Sequence, residues 1–149
     1  YEPEDEGVTI VYGSIHGHTA KAAKVMQKML EDRGQKVEIF DLARDDMAEA
    51  IECAYRYDKL VIATVTYDAG VFPVVEDFVY HLKLKNYQKR TVGIIQNGSW
   101  GPVAGKKVKE SLETLKDIKI VDPMVTIRSA LKEGNLTAME ALADALVAK

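Results

Sequence analysis

The chain has few of the residues on which several classes of protein depend. Among its 149 residues there is one cysteine, Cys53, which excludes an internal disulfide and a multi-cysteine metal or iron–sulfur site. No apolar run approaches the roughly 18 residues needed to span a bilayer, and no signal segment opens the chain. Lysine and arginine (20) do not outnumber aspartate and glutamate (23), which argues against a nucleic-acid-binding protein. We expect a cytoplasmic protein in which Cys53 is a small buried residue on a helix.

The composition of the chain suits one domain with a continuous core, since 47% of its 149 residues are hydrophobic. Residues 1–7 are mostly acidic and contain no methionine, and they resemble a linker more than a folded element. We therefore expect a linker-like segment at 1–7, a domain at 8–149, and a chain that is a piece of a longer protein.

Short β-branched runs alternate with helical patterns along the chain. The strand candidates are Val8–Tyr12, Lys36–Phe40, Lys59–Val65, Thr91–Gln96 and Ile118–Ile127, the last broken by Asp122-Pro123. The helix candidates are Thr19–Asp32, Asp46–Ala54, Val74–Leu84, Pro102–Leu115 and Thr137–Val147. Five such alternations predict an α/β fold, a doubly wound parallel sheet with helices on both faces.

In such a sheet, ligands bind beyond the carboxyl ends of the strands, where the loops after strands one, three and four meet. The first of these loops holds Ser14, His16, His18 and Thr19 around Gly17. Backbone N–H groups and hydroxyls at the start of a helix favour a phosphate, held here without lysine, arginine or metal. Two readings stay open, because Ser14 and Thr19 could instead cap the helix. The two histidines lack a third metal ligand.

The other two loops add aromatic residues. Thr64–Phe72 combines hydroxyls, Tyr67 and a glycine, a composition that suits a flat ring with polar edges. Asn97–Gly101 places the only tryptophan, Trp100, between two glycines, although Trp100 could also be a lid over the edge of the sheet. Three such loops at one edge predict a site for a nucleotide-type cofactor.

With these motifs, the chain resembles the flavodoxin-like FMN-binding domain, most closely the C-terminal domain of flavodiiron proteins (A-type flavoproteins). The resemblance runs from about Val8 to Lys149. It implies a five-stranded parallel sheet in the order 2-1-3-4-5 with FMN as cofactor. It also implies these cofactor-binding residues: at the phosphate Ser14, Ile15, His16, Gly17, His18 and Thr19; along one side of the ring Thr66, Tyr67, Asp68, Ala69 and Gly70; and on the other side Asn97, Gly98, Ser99, Trp100 and Gly101.

The resemblance further implies an electron-transfer domain without catalytic or metal-binding side chains of its own. In flavodiiron proteins a β-lactamase-like domain carries two irons that reduce dioxygen or nitric oxide. The FMN domain supplies its electrons, often received from rubredoxin, and the parent protein can form a homo-oligomer. With three histidines and no matching carboxylate motif, this chain does not contain that di-iron site.

The sequence leaves three alternative functions open and excludes a fourth. The chain could be a stand-alone flavodoxin-like carrier or an NAD(P)H-dependent FMN reductase of quinones, although its short connections leave little room for a substrate pocket. It could also be a flavodoxin-shaped domain that has lost its cofactor and only mediates contacts. A signalling receiver domain is excluded, because the required acids and lysine are replaced by Gly13-Ser14, Thr64-Val65-Thr66 and Ile127-Arg128.

Overall fold

β-branched runs form a central sheet in the computed structural model, which describes residues 2–67, 70–98, 102–128 and 130–148. The strands are β1 (Asp5–Tyr12), β2 (Val37–Asp41), β3 (Tyr57–Tyr67), β4 (Gly70–Val71), β5 (Arg90–Asn97), β6 (Ile118–Ile120) and β7 (Val125–Ile127). The helices are α1 (His18–Asp32), α2 (Met47–Arg56), α3 (Pro73–Leu84), α4 (Ala104–Leu112) and α5 (Glu133–Val147).

The parallel order is β2-β1-β3-β5-β6, which confirms the expected order 2-1-3-4-5. The strand count differs, because the described ranges form seven strands instead of five. The last expected strand is split around Asp122-Pro123, so that β6 pairs with the start of β5 and β7 with its end. The seventh strand, β4, is two residues long and pairs antiparallel with the end of β3.

The sheet also begins earlier than expected. Strand β1 starts at Asp5, three residues before the predicted Val8, and Asp5 pairs with Tyr57 of β3. The backbone N–H of Gly7 donates to the carboxylate of Asp58 at 2.9 Å. The last three residues of the segment expected to be linker-like therefore belong to the sheet.

Alternate residues of the buried strands face the two helical layers, as the period of a strand requires. Val61 and Ala63 of β3 pack with α1 and α5, whereas Leu60 and Ile62 pack with α2, α3 and α4. Cys53 on α2 is 2% exposed, which confirms the prediction of a small buried residue. Its burial raises the pKa of the thiol to about 11. In the part of the chain described, no helix is both long and apolar enough to cross a membrane.

Arg90 is buried at the amino edge of the sheet, where β5 starts. Its Nε donates to the carbonyl of Tyr57 at 3.0 Å, and its other guanidinium nitrogens donate to the carbonyls of Tyr55 and Gln88. The guanidinium also lies 5.8 Å from the ring centre of Tyr55 and 5.2 Å from that of Tyr87. Carbonyl dipoles and aromatic faces thus stabilise the positive charge of Arg90 inside the fold.

Candidate functional site

Three parallel strands end at the same edge and bring the predicted loops together. Strands β1, β3 and β5 end at Tyr12, Tyr67 and Asn97. The first two loops touch directly, because a Cβ at Gly13 would lie 2.8 Å from Cδ2 of Phe72 and 2.9 Å from Cγ2 of Val75. Only glycine permits this approach, so Gly13 joins the loop after β1 to the segment that starts α3.

The loop between β1 and α1 leaves the helix start without a side-chain cap. Gly17 has a φ of +83°, in the left-handed region that favours glycine, and a Cβ at this residue would meet nothing within 4 Å. Its N–H donates to Oγ of Ser14 at 3.0 Å within the loop. The alternative in which Ser14 and Thr19 merely cap the helix is therefore wrong, and the helix start remains available to an anion.

The side chains of this loop fall into two groups. Ile15, His16, Gly17 and His18 are exposed, with Ile15 at 44%. Thr19 is only 2% exposed, yet its hydroxyl makes no hydrogen bond to any residue that the structure describes. A hydroxyl beside uncapped backbone N–H groups can donate to a phosphate oxygen.

The second predicted loop is tied to the third through Thr66. Its Oγ1 accepts hydrogen bonds from the backbone N–H groups of Val103 at 3.1 Å and Ala104 at 3.2 Å, at the start of α4. Tyr67 is 47% exposed, and its ring lies 5.7 Å from that of Phe72 in an edge-to-face arrangement. Tyr67 also pairs with Gly70, while Asp68 and Ala69 lie outside the described residues.

The start of the third loop packs against the second. The N–H of Gly98 donates to the carbonyl of Ile127 at 3.0 Å, and a Cβ at Gly98 would lie 3.3 Å from Oγ1 of Thr66. Asn97 and Gly98 are both buried. The predicted residues Ser99, Trp100 and Gly101 lie outside the described residues.

Sequence reasoning missed a supporting side chain, Gln96. Its Oε1 accepts from the N–H of Gly105 at 2.8 Å, and its Nε2 donates to Oγ1 of Thr126 at 3.0 Å. A Cβ at Gly105 would lie 2.9 Å from Cδ of Gln96, so this contact also needs glycine. The available signal was an amide side chain at the end of an otherwise apolar strand, directly before Asn97.

These groups supply hydrogen-bond donors, an aromatic ring and no paired acids or bases. Within the described ranges, no group of three His, Cys, Asp or Glu side chains is arranged to hold a metal ion. The arrangement fits recognition of a phosphate at α1 and of a flat ring between the second and third loops.

Comparisons with known proteins agree with this geometry. The sequence model of flavodoxin matches residues 10–141. The coenzyme F420H2 oxidase of Methanothermobacter marburgensis is 28% identical over 102 residues, which are 68% of this chain and 25% of that protein. The chain thus spans about a quarter of the length of this curated relative.

Two solved structures show the same fold. Rubredoxin oxygen:oxidoreductase from Desulfovibrio gigas matches with a TM-score of 0.87 and 17% identity, over 97% of this chain and 36% of that one. The flavodiiron protein from Giardia intestinalis matches with a TM-score of 0.82 and 17% identity, over 95% of this chain and 35% of that one. In each comparison the chain corresponds to about a third of the larger protein.

Proposed function

Because the chain belongs to the flavodoxin family, whose cofactor is FMN, we propose that it binds FMN at the carboxyl edge of its sheet and transfers electrons through it. The loop from Ser14 to Thr19 would hold the phosphate. The loops that begin at Thr66 and Asn97 would flank the ring, together with their members outside the described residues.

The observation that carries this proposal is the start of α1. The helix has no side-chain cap, its first turn has no acidic residue, and the left-handed Gly17 precedes it. Unpaired N–H groups and the helix dipole favour an anion at this position. The residues present therefore fit a phosphate group held by backbone and hydroxyl donors.

The chain's own residues would bind and orient the cofactor. Bound FMN supplies the one- and two-electron chemistry. Thr19 would donate its hydroxyl to the phosphate, and Tyr67 would cover one side of the ring, held by Phe72. Thr66 and Gln96 would fix the second and third loops by their hydrogen bonds to the start of α4. No side chain needs to act as a general acid, general base or nucleophile.

We extend the proposal to the parent protein. The names and lengths of the relatives support a flavin domain of a longer flavodiiron oxidoreductase. The proposed parent protein is cytoplasmic, and in it this domain is fused in the same chain to a di-iron β-lactamase-like domain that reduces dioxygen or nitric oxide. Rubredoxin or its reductase would supply the electrons. A homo-oligomer of the parent protein is part of the same proposal.

Titration with FMN tests the central claim. We expect a yellow 1:1 complex, and weaker binding of riboflavin, which lacks the phosphate. Thr19→Val removes the hydroxyl but keeps the shape, and it should weaken FMN binding about tenfold or more, the effect of one hydrogen bond to a charged group. Riboflavin binding should change little.

Thr9→Val is the matched control, because Thr9 is fully buried far from the loop and its Oγ1 lies 3.1 Å from Sγ of Cys53. It should leave FMN affinity unchanged. A folded but colourless protein that FMN cannot reconstitute would contradict the proposal. Steady NAD(P)H oxidation by the purified chain would instead favour a self-contained reductase.

A further inference from the structure

The start of helix α4 is capped by side chains from other parts of the fold. Val103, the residue just before the helix, makes no side-chain cap. Oγ1 of Thr66 instead accepts hydrogen bonds from the backbone N–H groups of Val103 at 3.1 Å and Ala104 at 3.2 Å. Oε1 of Gln96 accepts from the N–H of Gly105 at 2.8 Å. Unlike α1, helix α4 therefore has its first N–H groups satisfied within the fold.

Both acceptor sites of the Thr66 hydroxyl are used by this cap. A threonine hydroxyl has one O–H donor and two lone pairs, whereas a backbone N–H can only donate. The two N–H groups at the start of α4 therefore occupy the lone pairs of Oγ1, and the hydroxyl hydrogen must point to another acceptor. Among the residues that the structure describes, none accepts this hydrogen. Thr66 is thus a donor that cannot also accept.

Thr66 lies between the two loops that are proposed to flank the flavin ring. It belongs to the end of β3, one residue before the exposed Tyr67, and its side chain is half-buried. The third loop begins beside it, because a Cβ at Gly98 would lie 3.3 Å from Oγ1 of Thr66. A flat ligand held between the second and third loops would therefore meet the donor of Thr66.

We propose that Thr66 donates its hydroxyl hydrogen to a carbonyl oxygen of the pyrimidine ring of FMN. The carbonyl oxygens accept hydrogen bonds in both oxidation states of the cofactor. Two-electron reduction instead adds a hydrogen to N5, and Thr66 has no lone pair left to accept it. A donor fixed in this way therefore suits both states at a carbonyl oxygen but not at N5. This inference rests on the proposed function, and it names the ring atoms that one side chain of the site recognises.

The direction of this hydrogen bond makes the binding of FMN depend on its oxidation state. Above neutral pH the two-electron-reduced ring is an anion, and its negative charge is shared with the carbonyl oxygens. A hydrogen bond to a charged acceptor is about twice as strong as one to a neutral acceptor. Thr66 should therefore stabilise reduced FMN more than oxidised FMN and raise the midpoint potential of the bound cofactor.

The test compares Thr66→Val, which keeps the shape without the hydroxyl, with Thr66→Ser, which keeps the hydroxyl. Anaerobic titrations of the full chain near pH 8 give the dissociation constants of oxidised FMN and of FMN reduced by dithionite. Thr66→Val should weaken the binding of oxidised FMN about three- to tenfold, and that of reduced FMN by a factor about tenfold larger. For a two-electron couple this tenfold difference is a midpoint potential lower by about 30 mV. Thr66→Ser should restore both affinities to within about twofold of wild type, because it restores the donor.

Gln96→Met is the matched control for the loss of a cap. Gln96 also holds the start of α4, but it is buried and its Nε2 donates to Oγ1 of Thr126 at 3.0 Å. Loss of this cap should weaken the binding of oxidised and reduced FMN by the same factor. Urea denaturation checks that each variant folds. If Thr66→Val does not fold, Thr66→Cys takes its place, because a thiol is a weak donor that can still accept from the helix.

Two outcomes overturn the inference while the wild-type chain still binds FMN. If the ratio of the two dissociation constants is the same in Thr66→Val and Gln96→Met, Thr66 acts only as a helix cap. If that ratio shifts in favour of reduced FMN in Thr66→Val, the donor faces N5 and not a carbonyl oxygen. If the wild-type chain binds no FMN in either oxidation state, the proposed function fails, and the inference fails with it.

Discussion

Arg90 at the amino edge of the sheet and Thr19 at the carboxyl edge differ in where their hydrogen-bond donors are used. At the amino edge, Arg90 donates to three backbone carbonyls and lies against two tyrosine rings. At the carboxyl edge, α1 starts without a side-chain cap, and the Thr19 hydroxyl has no partner in the described chain. The donors of Arg90 are used within the fold, although the Tyr87 hydroxyl and Oε1 of Gln35 are buried near the same edge without a hydrogen-bond partner in the described chain. The carboxyl edge keeps its donors available for a ligand.

Substitutions at the two edges should therefore act on different properties, the stability of the fold at the amino edge and ligand affinity at the carboxyl edge. A substitution at the amino edge leaves buried carbonyls without donors, so it should unfold the protein without changing the affinity of the folded form. A substitution at the carboxyl edge removes donors that the fold does not use, so it should change affinity at a small cost in stability. The following experiments test this separation.

The largest effect is expected for Arg90→Met, which keeps much of the volume and removes the charge and donors. It should lower the free energy of unfolding by about 3–5 kcal/mol, because the carbonyls of Tyr55, Tyr57 and Gln88 lose their charged donor inside the fold. Urea denaturation measures the change. Arg56→Met is the control, since the half-exposed Arg56 makes a 3.3 Å pair with Glu38 and lies 5.9 Å from the ring centre of Tyr57, and it should cost about 1 kcal/mol. Similar losses in both variants would contradict the role of Arg90.

A smaller effect on stability is expected from ionisation of the thiol of Cys53, which is buried on α2. Burial raises the pKa of this thiol from an ordinary value of 9.0 to about 11. The folded state therefore resists ionisation, and the stability from the neutral thiol is complete below about pH 9 and is lost as pH rises toward 11. The loss at pH 10.5 should be about 2 kcal/mol relative to pH 8. Urea curves should show a smaller fall in Cys53→Ala, and parallel falls would contradict the prediction.

The smallest effect on stability comes from a pair of glycines at the two ends of α1. Gly17 and Gly34 have φ values of +83° and +82°, and a Cβ at either meets nothing within 4 Å. Gly17→Ala and Gly34→Ala should each cost about 1 kcal/mol through left-handed strain alone. Only Gly17→Ala should also weaken FMN binding, by about three- to tenfold, because it disturbs the phosphate loop. Equal FMN affinities in the two variants would place the phosphate elsewhere.

The sheet order and most of the helices could be predicted because their signals are local. Buried parallel strands read as β-branched runs, and glycine or proline punctuates the helices. The hairpin of β4 could not be predicted, since two residues are too few to show a pattern. The split of the last strand was visible at Pro123, but its consequence for pairing depends on the neighbouring β5.

The loops of the candidate site could be predicted from the sequence, whereas most of the contacts between them could not. The Ser14–Thr19 loop follows a strand and opens a helix, so its location came from chain order alone. The bonds from Val103 and Ala104 to Thr66 span more than 35 residues, and no local pattern reports them. Ser14 looked like a helix cap because that is its commonest role, but in the fold it bonds within the loop.

The divided outer strand has a consequence for behaviour in concentrated solution. Strands β6 and β7 are three residues each and are separated by Pro123, which has no N–H to offer. A neighbouring molecule therefore finds no continuous row of backbone donors and acceptors along this side of the sheet. The break between β6 and β7 at Pro123 therefore protects the protein against edge-to-edge aggregation.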